Sequence, residues 1–219
     1  SAMSTCSRKV IMCLHETGAV EAGTFAFTNI DLGKKEQKSP EYLKIQPYGK
    51  VPVWEEDDGA FRFHESRAIL KHITAGSALY PNDNPRLMAK IEQWVSIEYS
   101  YFGAAWGPIF LEKILKKRGN PAYVANEAIC EAKKLELRPT LDLMEAELSN
   151  SEWRTPFIAG PNFTIADATF MPYFALFGPA GLALELESRP ALKKWVGQCL
   201  SRPSWQYTKD MKVMELNGK

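Results

Sequence analysis

Ser4, Cys6 and Ser66 are residues whose type and position could do chemistry, because each falls where a helix begins. Ser4 precedes Thr5-Cys6-Ser7-Arg8-Lys9-Val10, after which Val10, Cys13 and Leu14 recur at helical spacing and Gly18 marks a stop. Spacing alone reads Ser4 as an N-cap. The same hydroxyl could donate a hydrogen bond to a thiolate held at the positive end of the helix dipole. Cys6 lies in the first turn, where thiol pKa values fall, although a half-buried helix cysteine is the plainer reading. Glu65-Ser66 opens a second helix, marked by Ile69, Leu70 and Ile73. Its first N–H groups could take an anion such as a carboxylate. Read plainly, Ser66 is a cap, Glu65 a surface carboxylate, and Lys38 and Lys50 solvated loop lysines.

The elements that must position these groups follow from turn chemistry and periodicity. Val51 to Trp54 and Ala60 to Phe63 read as two short strands joined by Asp57-Asp58-Gly59, a hairpin turn. Val51-Pro52 can hold a cis bond, which would turn the Val51 main chain outward. Thr24 to Asp31 alternates and reads as a strand. Gly33 to Lys38 is a polar loop, and Ser39-Pro40 opens a short helix with a cap and a first-turn proline. Gly76 to Pro85 is rich in turn residues and reads as a linker. Beyond it the pattern is helical. One long helix is predicted from Arg86 to about Arg118, bent near Gly103 to Pro108, with Trp94, Ile97, Tyr101 and Phe102 facing inward. A second runs from Tyr123 to Leu148 with Pro139 as a kink. Thr164-Ile165-Ala166-Asp167 is a capping box whose work is folding. Pro190 to Ser201 and Pro203 to Tyr207 give short terminal helices.

Composition removes several classes of function. The 219 residues carry 27 Lys and Arg against 26 Asp and Glu, so no basic excess points to nucleic acid. No apolar run is long enough to span a bilayer, and no signal peptide is visible. Cys6, Cys13, Cys130 and Cys199 lack CxxC pairing and metal-ligand spacing, which predicts no metal and a reducing, cytoplasmic compartment.

Tyr48-Gly49-Lys50-Val51-Pro52-Val53, Glu65-Ser66-Arg67-Ala68-Ile69 and Ser4-Thr5-Cys6-Ser7-Arg8-Lys9-Val10 together resemble the glutathione transferases, in particular the phi class and its fungal relatives. The resemblance covers nearly the whole chain. It implies an α/β thioredoxin-like first domain with a mixed four-stranded sheet over residues 1–76, a linker over 77–84, and an all-helical domain over 85–210. It implies conjugation of glutathione, as co-substrate with no cofactor, to a small hydrophobic electrophile. Ser4 would be the catalytic residue. Val51, beside Pro52, would pair its main chain with the cysteinyl amide, Ser66 would bind the γ-glutamyl carboxylate, and Glu65 would meet the amine. Gln37-Lys38 stands where the family usually has His-Lys, and Lys50 where it has Gln, so this set would face the glycine carboxylate. Trp106, Phe110 and Tyr101 are candidates for the electrophile's wall, although aromatic residues at helical spacing are more often core. His64 is assigned no role. A homodimer is expected by analogy. Competing readings are a Cys6-based thiol transferase, a zeta-like isomerase and a non-catalytic ligand-binding module.

In that family an interior strand precedes the catalytic serine, and here only Ser1 to Met3 stand before it. An interior strand cannot simply be absent, because its neighbours would expose unpaired backbone. The segment Lys212 to Asn217 alternates and resembles that strand, so a circularly permuted chain is one expectation. A missing first strand with a frayed tail is the other.

Overall fold

The computed structural model describes residues 1, 4–56, 59–150 and 156–211. The chain divides into two compact units. One comprises residues 1–83 together with those from 201 onward, and the other residues 84–200.

In the first unit, helix α1 (Thr5–Glu16) starts on Ser4, whose side chain accepts from the Ser7 N–H at 3.3 Å. Val10, Ile11, Met12, Cys13 and Leu14 are among its buried residues, and it packs on α4 (Ser66–Thr74) and α11 (Pro203–Asp210). Glu16 secures α11 to it. Its carboxylate accepts from Arg202 Nε and Nη2, each at 2.7 Å, and from the Ser204 hydroxyl. Burial pushes the Glu16 carboxyl up, but Arg202 and Ser204 outweigh it and hold the group below its ordinary value. A short α2 (Ala19–Ala22) follows, and α3 (Pro40–Ile45) is capped by Ser39 as its sequence predicts, with Ser39 Oγ accepting from Tyr42 N at 3.2 Å.

The hairpin is present, but its strands are β1 (Val53–Glu56) and β2 (Phe61–His64), antiparallel with Val53 opposite His64. Both strands begin later than turn chemistry predicts. Pro52 has no N–H to give a ladder, which delays the first. Among the described residues the sheet has these two strands rather than four. Thr24 to Asp31 is not a strand. Its side chains alternate between half-buried Phe25 and Phe27 and exposed Ala26 and Thr24, but no described segment lies alongside to form a ladder. Alternation specifies faces, and only a neighbour makes a strand. The segment Lys212–Asn217 lies outside the described residues.

The second unit is helical. α5 (Pro85–Ile97), a π segment (Glu98–Phe102), α6 (Gly103–Phe110), a second π segment (Leu111–Leu115) and α7 (Lys116–Gly119) run on without a break. The wide turns surround Pro108, which removes a donor from the helix interior. They also correct one inward assignment. Trp94 and Phe102 are buried, whereas Tyr101 is 65% exposed, because the wider turn passes the inward stripe to Phe102. Trp106 is core, stacked on Phe177 with ring centroids 5.5 Å apart. The next helix, α8 (Glu127–Ser149), starts on Asn126, later than Tyr123. The intervening turn is used to satisfy buried Glu112, which accepts from Asn126 N at 2.9 Å, from the Tyr123 hydroxyl at 2.6 Å and from Lys116.

Helix α9 (Ile165–Phe174) is buried along its whole length, with α5 and α10 (Pro190–Leu200) against it. The predicted capping box holds its start. Asp167 Oδ2 accepts from Thr164 N at 2.9 Å, while Oδ1 accepts from Ile158 N and Trp195 Nε1, each at 2.9 Å. Burial pushes the Asp167 carboxyl up in spite of these donors. No described helix is long and apolar enough to cross a membrane.

Candidate functional site

The β1–β2 register brings two of the predicted segments together. The ladder ends with Val53 opposite His64, so Val51-Pro52 immediately precedes one strand and Glu65-Ser66 immediately follows the other, at the same end of the hairpin. The Val51–Pro52 bond is cis. Ser66 begins α4 and is 3% exposed. The residue before it, Glu65, takes φ 78° and ψ 111°, a conformation L residues avoid. Strain of this kind costs of order 1–3 kcal/mol and persists where surrounding structure enforces it. Here it sits at the junction between β2 and a nine-residue helix. The first N–H groups of a helix can take an anion, and Val51 and Pro52 at the same end of the hairpin are half-buried.

A second group forms from Gln37, Lys38 and Lys50. Lys38 Nζ donates to the Tyr48 carbonyl at 2.9 Å. Gly49 lies between, at φ 58°, and a Cβ there would meet the Gln37 carbonyl at 2.6 Å and Lys38 Nζ at 2.8 Å. Lys50 is fixed at both ends of its backbone. Its N–H donates to Gln46 Oε1 at 3.2 Å, and its carbonyl accepts from the Tyr42 hydroxyl at 2.8 Å. The Lys38 and Lys50 residues are not buried, while Gln37 Oε1 is buried without a hydrogen-bond partner among the described residues. Sequence pattern alone does not single out Tyr42 or Gln46. The one available signal is Gly49, a glycine between a bulky aromatic and a lysine.

Ser4 stands at the mouth of α1, half-buried. Accepting from Ser7 N leaves its O–H free to donate elsewhere. Its helix packs on α4, whose start carries Ser66, but no described hydrogen bond links Ser4 to the Gln37–Ser66 groups. Cys6 is a free, partly exposed thiol in the first turn of α1. Cys13 is buried, and burial first, then the Glu16 charge, pushes its thiol far up, so it is inert as a nucleophile. His64 is in edge contact with Tyr48 at 6.0 Å. Among the described residues no cluster of His, Cys, Asp or Glu could hold a metal ion.

Comparison with known proteins identifies the family. The family pattern described as "Glutathione S-transferase, N-terminal domain" matches residues 3–75, and "Glutathione S-transferase, C-terminal domain" matches 102–203. Glutathione S-transferase F10 of Arabidopsis thaliana is 32% identical over 210 residues, covering 91% of this chain and 90% of that protein. Glutathione S-transferase F12 of the same plant is 31% identical, covering 98% and 95%. Among solved structures, glutathione transferase F7 from Populus trichocarpa superposes with a TM-score of 0.81 at 30% identity, covering 100% of this chain and 97% of that one. Glutathione transferase F2 from the same tree gives 0.82 at 28% identity, covering 96% and 95%. With a thioredoxin-like first unit, a helical second one, and relatives of the plant phi class along almost its full length, the chain belongs to the glutathione S-transferase family.

Proposed function

We propose that this transferase activates glutathione with the hydroxyl of Ser4 and joins the resulting thiolate to small hydrophobic electrophiles. The observation that carries the reading is the strained Glu65–Ser66 turn at the same end of the β1–β2 hairpin as the Val51 main chain. A tripeptide with an amide backbone and a charged end group matches both. The Val51 main chain pairs with the cysteinyl amide. Ser66 and the first N–H groups of α4 take the γ-glutamyl carboxylate, and Glu65 takes the amine. Gln37, Lys38 and Lys50 face the glycine carboxylate, which the two lysines draw by charge. Held at both ends, the central thiol has one place to go, the mouth of α1.

A free thiol titrates near 8.5, so little of it is thiolate at neutral pH. A hydroxyl donated to the sulfur, with the dipole of a twelve-residue helix behind it, favours the anion. The thiol's proton passes to solvent, and the thiolate's electron pair then forms a carbon–sulfur bond while the leaving group departs with the bonding pair, or, at an activated double bond, while the displaced π pair takes a proton from solvent. Holding both reactants supplies much of the remaining acceleration. The active species is a homodimer of the cytoplasm.

The test is Ser4→Ala against Ser4→Thr. Loss of one donor to a developing or resting anion costs roughly a hundredfold in turnover. Ser4→Ala should lower kcat by that order with little change in KM for glutathione, and move the acid limb of the pH–rate profile up toward the free thiol value. Ser4→Thr, which keeps a hydroxyl and a cap, should recover most of both. An unmoved pH limb in Ser4→Ala removes Ser4 from the mechanism. Activity lost instead on alkylating Cys6 would transfer the role to that thiol.

A further inference from the structure

Lys50 immediately precedes Val51, and both of its main-chain polar groups are taken by side chains rather than by a helix or a ladder. Its carbonyl accepts from the Tyr42 hydroxyl at 2.8 Å, and its N–H donates to Gln46 Oε1 at 3.2 Å. The two side chains are themselves held in place. Tyr42 is 8% exposed and Gln46 1%. Tyr42 stands in the first turn of α3, its N–H held by the Ser39 cap. Gln46 follows the last residue of that helix, and its N–H donates to the Tyr42 carbonyl at 2.9 Å. Its own carbonyl accepts from Gly49 N at 2.9 Å, which closes the turn Gln46-Pro47-Tyr48-Gly49. One residue thus joins α3, the turn and Lys50 through three of its groups. Burial pushes the Tyr42 phenol up, so it stays protonated and able to donate through the neutral range.

A phenylalanine would fill the same space as Tyr42. What the hydroxyl adds is direction. The Lys50 carbonyl and the Val51 N–H belong to one planar trans peptide unit, in which C=O and N–H point opposite ways. Drawing the carbonyl toward Tyr42 therefore turns the Val51 N–H away from it. We propose that Tyr42 and Gln46 are positioning residues for glutathione, Tyr42 by fixing the Lys50–Val51 peptide so that the Val51 N–H is presented to the cysteinyl carbonyl, and Gln46 by holding the same stretch at the Lys50 N–H. The inference rests on the glutathione reading given above. Both side chains act through the main chain alone. A strip ordered before the ligand arrives spares binding the cost of ordering it. That gain is the same before and during reaction, so it acts on affinity and leaves the thiol chemistry to Ser4.

The experiment compares the parent with Tyr42→Phe, Gln46→Met and, as reference, Ser66→Ala. Steady-state kinetics are read with glutathione varied against chlorodinitrobenzene. Calorimetric titration uses S-hexylglutathione, a thioether with no thiol proton to lose. In Tyr42→Phe the KM for glutathione and the Kd for S-hexylglutathione should each rise about five- to tenfold, with kcat and the acid limb of the pH–rate profile unmoved. Gln46→Met should raise the same two constants. Tyr42→Phe keeps the ring, so its result decides the matter even where Gln46→Met does not fold. A merely structural role would lower kcat in step with the folded fraction and leave both constants alone, and that result overturns the proposal. Unchanged constants in Tyr42→Phe beside raised ones in Ser66→Ala overturn it too, while the glutathione reading stands. If Ser66→Ala is also silent, or the parent does not bind S-hexylglutathione, the glutathione reading falls and the positioning role with it.

Discussion

Gly49→Ala tests whether the glycine-carboxylate end of the site is as tightly assembled as it looks. Two costs are separable. Gly49 has φ 58°, and an alanine held there must adopt the left-handed backbone. That conformation costs about 1–2 kcal/mol, less the 0.4–1 kcal/mol or so gained by restricting the unfolded chain. Gly18 isolates that cost, because it has φ 75° and nothing lies within 4 Å of the place a Cβ would take. Gly18→Ala should therefore destabilise by about 1 kcal/mol. At Gly49 the new methyl would lie 2.6 Å from the Gln37 carbonyl and 2.8 Å from the Lys38 side chain. One contact is backbone and cannot rotate away, so the two loops must separate. Forced repacking of this kind costs about 1–3 kcal/mol, which brings Gly49→Ala to about 2–4 kcal/mol in all. The same separation breaks the Lys38–Tyr48 hydrogen bond and disperses Gln37, Lys38 and Lys50. If glutathione must draw the loops back together, its KM rises by the repacking term, roughly five- to a hundredfold. The assays are thermal unfolding of both variants and steady-state kinetics with glutathione varied. Equal destabilisation of the two variants with unchanged KM would refute the reasoning. It would mean the loops are free to part and the carboxylate contacts lie elsewhere.

Two further outcomes follow from buried carboxylates in the helical unit. Asp167→Ala strips the acceptor from Ile158 N, Thr164 N and Trp195 Nε1 at once. Orphaning these buried donors should cost about 3–5 kcal/mol, read as a fall in melting temperature of roughly 6–20 °C. Asp167→Asn, which keeps one acceptor oxygen, should lose about half as much. Glu112 is held from its ordinary 4.5 down to about 2, by the Asn126 N–H first and then by Lys116 and Tyr123. A depressed folded pKa means stability that is complete above about pH 4.5 and is lost as pH falls through about 2. Thermal unfolding across that window should therefore steepen with acid in the parent and flatten in Glu112→Gln. Equal slopes would count against the assignment.

Local chemistry carries much of this architecture into the sequence. Ser39-Pro40, the helix opening at Ser66 and the Thr164–Asp167 box are each specified by residues within four positions of one another, while Asp57-Asp58 lies outside the described residues. Their signals survive without the rest of the fold. The failures have a common cause in distance along the chain. Thr24 to Asp31 has the right alternation, but whether it is a strand depends on what lies beside it. Counting ideal turns misplaces Tyr101, because π segments change the count in that stretch. Gln46 and Gly49 matter because they hold one loop to another, through Lys50 and across to Gln37, and no periodicity announces that. Ser4, Glu65 and Ser66, the proposed glutathione contacts, stand out only as a set, since each alone is an ordinary cap or surface group.

The clasp between Glu16 and Arg202 has a consequence for biosynthesis. Its two partners are 186 positions apart, and α1 finds its α11 neighbour only after the entire helical unit has been translated. The first 83 residues therefore leave the ribosome with one flank of α1 uncovered and must wait while well over a hundred more are added. A nascent chain halted before Arg202 should bind chaperones through that flank, and release from them should coincide with the arrival of α11.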